Sequence, residues 1–82
     1  MKNYIHEIID EIYNLENEYF NGYLAYHELM YAIYKLSPNT DKRTTKNSFQ
    51  KSEEKQKHAK GFYEAITETT YYKYLKEQYM ND

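Results

Sequence analysis

YIHEIIDEIYNLENEYFNGYLAYHELMYAIYKL, residues 4–36, decides the fold. Apolar and aromatic side chains recur every three or four positions along all of it. Ile5, Ile8, Ile9, Ile12, Leu15 and Tyr19 make one stripe, and Tyr23, Tyr26, Met30, Ile33 and Tyr34 a second. A repeat of 3.6 residues is the signature of an amphipathic helix. Asn21-Gly22 separates the stripes, so the spacing predicts two helices joined there.

Downstream, Ser37-Pro38-Asn39-Thr40-Asp41 ends the second helix: proline disfavours helical geometry before it, and Asn, Thr and Asp favour turns. Residues 37–47 then read as a polar, basic loop. A helical pattern returns through Ala59, Phe62, Tyr63 and Ile66, and slips phase at Thr67-Glu68-Thr69-Thr70 before Tyr71, Tyr74, Leu75 and Tyr79. Threonine lowers helix propensity, so a bend or a new start is expected there. The sequence therefore predicts an all-α single domain of three to four helices, about 3–20, 23–36 and 48–79, the last bent near 67–70. Asn3 is the expected N-cap of the first helix, and Asn47, Ser48 or Ser52 that of the third.

Eighty-two residues make one domain near the lower limit of what a single core supports. There is no cysteine, which removes disulfides and thiolate metal sites. The second helix is apolar nearly all round, and a short chain offers little to surround it. That mismatch leads us to expect a homodimer with Tyr23, Tyr26, Met30, Tyr31, Ile33 and Tyr34 at its interface. Twelve tyrosines point the same way, since tyrosine gives a large, rigid contact surface; A/T-rich codon usage would also raise Tyr together with Lys, Asn and Ile.

The net charge of −2 is unevenly distributed. Residues 1–36 carry six carboxylates against two lysines, and residues 37–60 seven cations against three carboxylates. Glu7, Asp10, Glu11, Glu16 and Glu18 are candidate partner-binding groups on the first helix. Glu7, Glu11 and Glu18 form a ridge there, either simply solvated or imitating phosphates. Lys42, Arg43 and Lys46 are candidate contacts to phosphate or to an acidic surface.

No catalytic constellation is present. His6 with Asp10, and His27 beside Glu28, supply too few ligands for a metal site, and no HExxH or Glu-x-x-His pair occurs. Two glycines cannot build a phosphate-cradling loop, and the serines lack a nucleophile-elbow context. No enzyme, metal or cofactor is therefore expected, and no stretch approaches a membrane span. A protein-binding role is favoured. The alternative, a small DNA-binding transcriptional regulator using the basic segment 42–60, would ordinarily carry net positive charge.

The cysteine-free Lys/Asn/Ile/Tyr vocabulary, the acidic helix in MKNYIHEIIDEIYNLENEYF and the tail YYKYLKEQYM resemble early proteins of phages that infect low-GC Gram-positive bacteria. Small inhibitors of the DNA polymerase sliding clamp and anti-CRISPR proteins are similar in size and style. The resemblance covers the whole chain in character, and no specific motif carries it. It implies a non-enzymatic inhibitor in the cytoplasm of a bacterial host, which blocks a nucleic-acid-processing protein through an acidic, Tyr-rich surface competing with DNA. The sliding clamp is the first expected partner. No QLxLF-like clamp-binding peptide is present, so occupation of the clamp's basic DNA channel is expected rather than mimicry of that peptide.

Overall fold

The structure, a computed structural model, describes residues 4–80. It is all-α, with no strand among the described residues. Five helices follow one another: α1 (Tyr4–Phe20), α2 (Tyr26–Leu36), α3 (Lys46–Gln50), α4 (Glu53–Thr67) and α5 (Thr70–Met80). The expected cap Asn3 and the side chain of Tyr79 lie outside the described residues. None of these helices is long and apolar enough to cross a membrane.

α1 stops where Asn21-Gly22 stands. Gly22 has φ +84°, its N–H donates to Tyr19 O at 3.1 Å, and the Tyr23 N–H donates to Glu18 O at 2.8 Å. This pair of bonds is a Schellman cap, which needs a left-handed residue that glycine supplies without a Cβ penalty. The closing bonds occupy residues expected to begin the second helix. α2 consequently starts at Tyr26 rather than Tyr23, with the Glu28 carboxylate accepting from the Ala25 N–H at 3.0 Å.

The far end of α2 is held by an unexpected group. The Lys42 ammonium donates to Lys35 O at 2.7 Å and Ser37 O at 2.5 Å, and the Lys35 ammonium reaches back to Lys42 O. Cations here satisfy last-turn carbonyls and oppose the negative end of the helix dipole.

The segment expected as one bent helix is three. Thr45 Oγ1 accepts from Ser48 N at 3.1 Å and nucleates the single turn of α3, while Ser52 Oγ accepts from Lys55 N at 3.2 Å and caps α4. The break between α4 and α5 falls at Glu68-Thr69. There Thr69 Oγ1 donates to Ile66 O at 2.7 Å and accepts from Tyr72 N at 3.2 Å, so one hydroxyl ends one helix and starts the next.

The core draws on every helix: Ile9, Ile12 and Tyr13 from α1, Leu29, Met30, Ile33 and Tyr34 from α2, Phe49 from α3, Ala59 and Ile66 from α4, and Tyr72 from α5. α2 is central, packed by α1, α3 and α4. Its own chain therefore covers the faces that were expected to need a second copy. Met30, Ile33 and Tyr34 are buried in this core, with Tyr34 ring to ring with Phe49 at 5.3 Å. Tyr31 is half-buried against Phe49, with its hydroxyl donating to Thr44 O at 2.6 Å. These four are not available as the dimer interface assigned to them. Only Tyr23 and Tyr26 of that set stay exposed.

Candidate interaction surface

Helical geometry sorts the five candidate carboxylates of α1. At about 100° per residue, Glu7, Glu11 and Glu18 share an arc of about 40°, and about 16 Å of helix separates the first from the last. All three are exposed, with Asn14 between them. Asp10 stands on the flank of this ridge. Its carboxylate accepts from the Tyr71 hydroxyl at 2.7 Å, and the Tyr71 ring stacks on His6 with centroids 4.0 Å apart.

Glu16 is on the opposite side and is buried, 3 % exposed. Nine residues after Glu7 is half a turn round the helix, in phase with Ile9 and Ile12. The carboxylate accepts from the Tyr72 hydroxyl at 2.7 and 2.8 Å and from the Tyr63 hydroxyl, and it pairs with the Lys76 ammonium at 2.8 Å. That ammonium also lies over the rings of Phe20, Tyr72 and Tyr13, at 5.3, 5.5 and 5.8 Å from their centroids. Desolvation, then the hydrogen bond and charge of Glu16, push the Tyr72 phenol above its ordinary range. Glu16 is thus a structural group that fastens α5 to α1, and its assignment to partner binding is withdrawn. Of the residues that answer it, Tyr63 reads in the sequence only as part of an apolar stripe, and nothing there marks Tyr72 or Lys76. The available signal was a lone carboxylate in the apolar phase of α1.

The expected phosphate contacts are dispersed. Lys42 is occupied by the end of α2. Arg43 pairs with Asp41 at 3.3 Å, where the Arg43 backbone N–H and then its guanidinium hold the Asp41 carboxyl below its usual range. Lys46 pairs with Glu28 at 3.4 Å, and the Ala25 N–H together with this ammonium lowers the Glu28 carboxyl. Along α4, Lys57 and Lys60 stand between Glu53 and Glu64, all exposed. The segment 42–60 does not gather into one basic face.

Three exposed aromatics stand where α1 turns into α2, while Tyr4 and Tyr74 are exposed elsewhere. Tyr23 is 80 % exposed, Phe20 65 % and Tyr26 54 %, with Tyr19 wedged between Phe20 and Tyr26 at ring distances of 5.5 and 5.9 Å. Isolated exposed aromatics are ordinary, but three around one corner form a patch suited to contact. The end of the acidic ridge, Glu18, adjoins this corner through its carbonyl bond to the Tyr23 N–H. Among the described residues no three His, Asp or Glu side chains converge as a ligand set for a metal ion. The chain matches no protein-family model, no curated protein and no solved structure.

Proposed function

We propose that the chain is a non-enzymatic binding protein. In this reading it docks on a basic surface of a nucleic-acid-processing partner through the outer face of α1 and the exposed Tyr23 that follows it. The observation that carries the reading is the shared exposed arc of Glu7, Glu11 and Glu18, with the exposed Tyr23 following the end of the helix. Charge of one sign steers association, while a rigid aromatic group supplies buried area.

Magnitude limits what such a ridge can imitate. Duplex DNA carries one charge per about 1.7 Å of axis, about ten over the 16 Å that these three carboxylates span. The ridge is too sparse to stand in for a duplex. It suits a local cluster of Lys and Arg, so competition with DNA would come from occupying such a cluster. In keeping with the phage-like character of the sequence, the sliding clamp of a low-GC Gram-positive bacterium is the first partner to test.

Exposed charge pairs are worth about 0.2–1 kcal/mol each, so reversing three should slow association by about tenfold at low salt. The test is binding of the purified clamp to the native chain and to Glu7→Lys/Glu11→Lys/Glu18→Lys. A loss at low ionic strength that shrinks as salt rises supports the reading. Equal association rates for both chains would overturn it. If the clamp fails to bind while another host protein shows the same charge dependence, the clamp falls and the acidic face stands. The regulator alternative, which draws on segment 42–60, would instead show a steep salt-dependent shift of plain duplex DNA.

A further inference from the structure

A second surface, to which α1 contributes no residue, has the form of a ligand site. A cleft of about 660 Å³ opens between the first half of α2, the turn of α3 and the start of α4. Its floor is Met30 and Phe49, and Tyr26 forms an apolar wall. Lys57 and Lys60 stand at its α4 side, with His27 facing from α2. Small-molecule sites typically measure about 300–1,000 Å³ and combine apolar walls with a few convergent polar groups.

Two further observations bear on occupancy. The first is that the cleft is preformed. The Gln56 amide donates to Phe49 O at 3.1 Å and Gln50 O at 2.8 Å, which locks the α3–α4 corner together with the Ser52 cap. A floor fixed in this way costs a ligand little ordering. The second is the sign of the charge. Lys57 and Lys60 are three residues apart on one helix and therefore neighbours, and neither makes an ion pair among the described residues. The one carboxylate lining the cleft is Glu53. Two ammonium groups against one carboxylate favour an anion over a cation, and the apolar floor favours an anion with a hydrocarbon body.

We propose that the α2–α3–α4 cleft binds a small amphipathic organic anion, its alkyl or aryl body on Tyr26, Met30 and Phe49 and its carboxylate between Lys57 and Lys60. The lysine stems lend further apolar cover while their charged ends stay hydrated until a carboxylate arrives. An inorganic anion gains nothing from the floor, and a neutral chain gains nothing from the two ammonium groups.

The probes that separate these contributions are decanoate, decanol and decylammonium, titrated into the full chain with backbone amide NMR shifts as the readout. Decanoate should bind saturably, with shifts confined to the surroundings of Tyr26, His27, Met30, Phe49, Lys57 and Lys60, and at least tenfold more tightly than either matched probe. Lys57→Gln/Lys60→Gln should weaken decanoate about tenfold and leave decanol unchanged, and Lys57→Arg/Lys60→Arg should retain decanoate. Both lysines are exposed, so circular dichroism should match the native chain in each variant. Equal affinity for decanol and decanoate, an unaffected glutamine variant, shifts centred outside the cleft, or no saturable decanoate binding would each overturn the proposal.

Discussion

Glu16 Oε1 lies 2.8 Å from the Lys76 ammonium, and the pair is asymmetric: the Glu16 side chain is 4 % exposed and that of Lys76 32 %. The carboxylate is therefore the group that suffers if the pair is broken. Removing one member of a fully buried pair costs about 3–5 kcal/mol, and partial exposure of the lysine reduces this. Lys76→Met should destabilise by about 2 kcal/mol, because Tyr63 and Tyr72 still donate to the carboxylate. Adding Glu16→Gln should recover part of the loss by removing the uncompensated charge. Urea unfolding checks both, and a native-like midpoint for Lys76→Met would remove the argument.

Tyr72 supplies a second handle on the same cluster. Its phenol is raised in the folded chain, whereas the unfolded chain releases that proton near the ordinary value of 10.0. The stability it contributes is thus complete below that value and is lost as pH climbs toward the folded one. Tyr72→Phe should cost about 1–2 kcal/mol at neutral pH through the lost donor to Glu16. It should also make the alkaline fall in stability shallower, by up to about 1.4 kcal/mol per pH unit. Urea midpoints at neutral and alkaline pH, compared between the two chains, measure both effects.

At the start of α2 the sign is opposite. The Glu28 carboxyl is lowered by the Ala25 N–H and by Lys46, so its contribution is present above the ordinary carboxylate value and disappears as pH falls through the lowered one. Carboxyl NMR of Glu28 should show a midpoint below the usual glutamate range, with the Ala25 amide shifting in parallel. Titration of the two signals at different pH values would show that the cap bond is not what lowers Glu28.

Ile33→Ala should destabilise by about 2–5 kcal/mol, and Ile33→Asp should unfold the chain rather than dissociate an assembly. Exposed Tyr23→Ser should change stability by less than about 0.5 kcal/mol. Circular dichroism combined with sedimentation distinguishes these outcomes. A folded Ile33→Asp chain of lower mass than the native assembly would return Ile33 to an interface.

Gly22→Ala should cost about 1–2 kcal/mol even though open space surrounds the position. The cost comes from φ +84° and not from a clash. A variant at native stability would mean that the α1 cap re-forms with another geometry.

The helices of residues 4–36 were readable because their period is carried by many apolar side chains at once, and because Asn21-Gly22 is a cap with a mechanism. Other features depended on partners distant in sequence. Met30 and Ile33 have no visible partner in the sequence because their cover, α4, carries a stripe of only Ala59, Phe62, Tyr63 and Ile66. The expected helix from 48 overlaps α3, but its separation from α4 is not legible, since one turn is set by a single hydroxyl, Thr45, and a single anchor, Phe49. In α1, Asp10 and Glu16 are the same kind of residue as Glu7 and Glu11 in composition. Their roles separate only when helical phase is applied strictly, and then Glu16 falls among isoleucines. The fates of Lys42, Arg43 and Lys46 were not legible, because each is decided by one nearby carbonyl or carboxylate.

The fastening of α5 onto α1 also sets an order of events as the chain is made. Glu16 emerges from the ribosome 47 residues before Tyr63 and 56 before Tyr72. At about 5–20 residues per second, the wait for Tyr72 lasts about 3–11 s, which is long compared with the formation of a helix. Through that interval none of its native partners has been made, so the carboxylate stays in water and its burial is postponed. The nascent chain thus carries its own solubilising group on what becomes an inner face, and closure waits until the last helix brings two hydroxyls and a cation to replace the water.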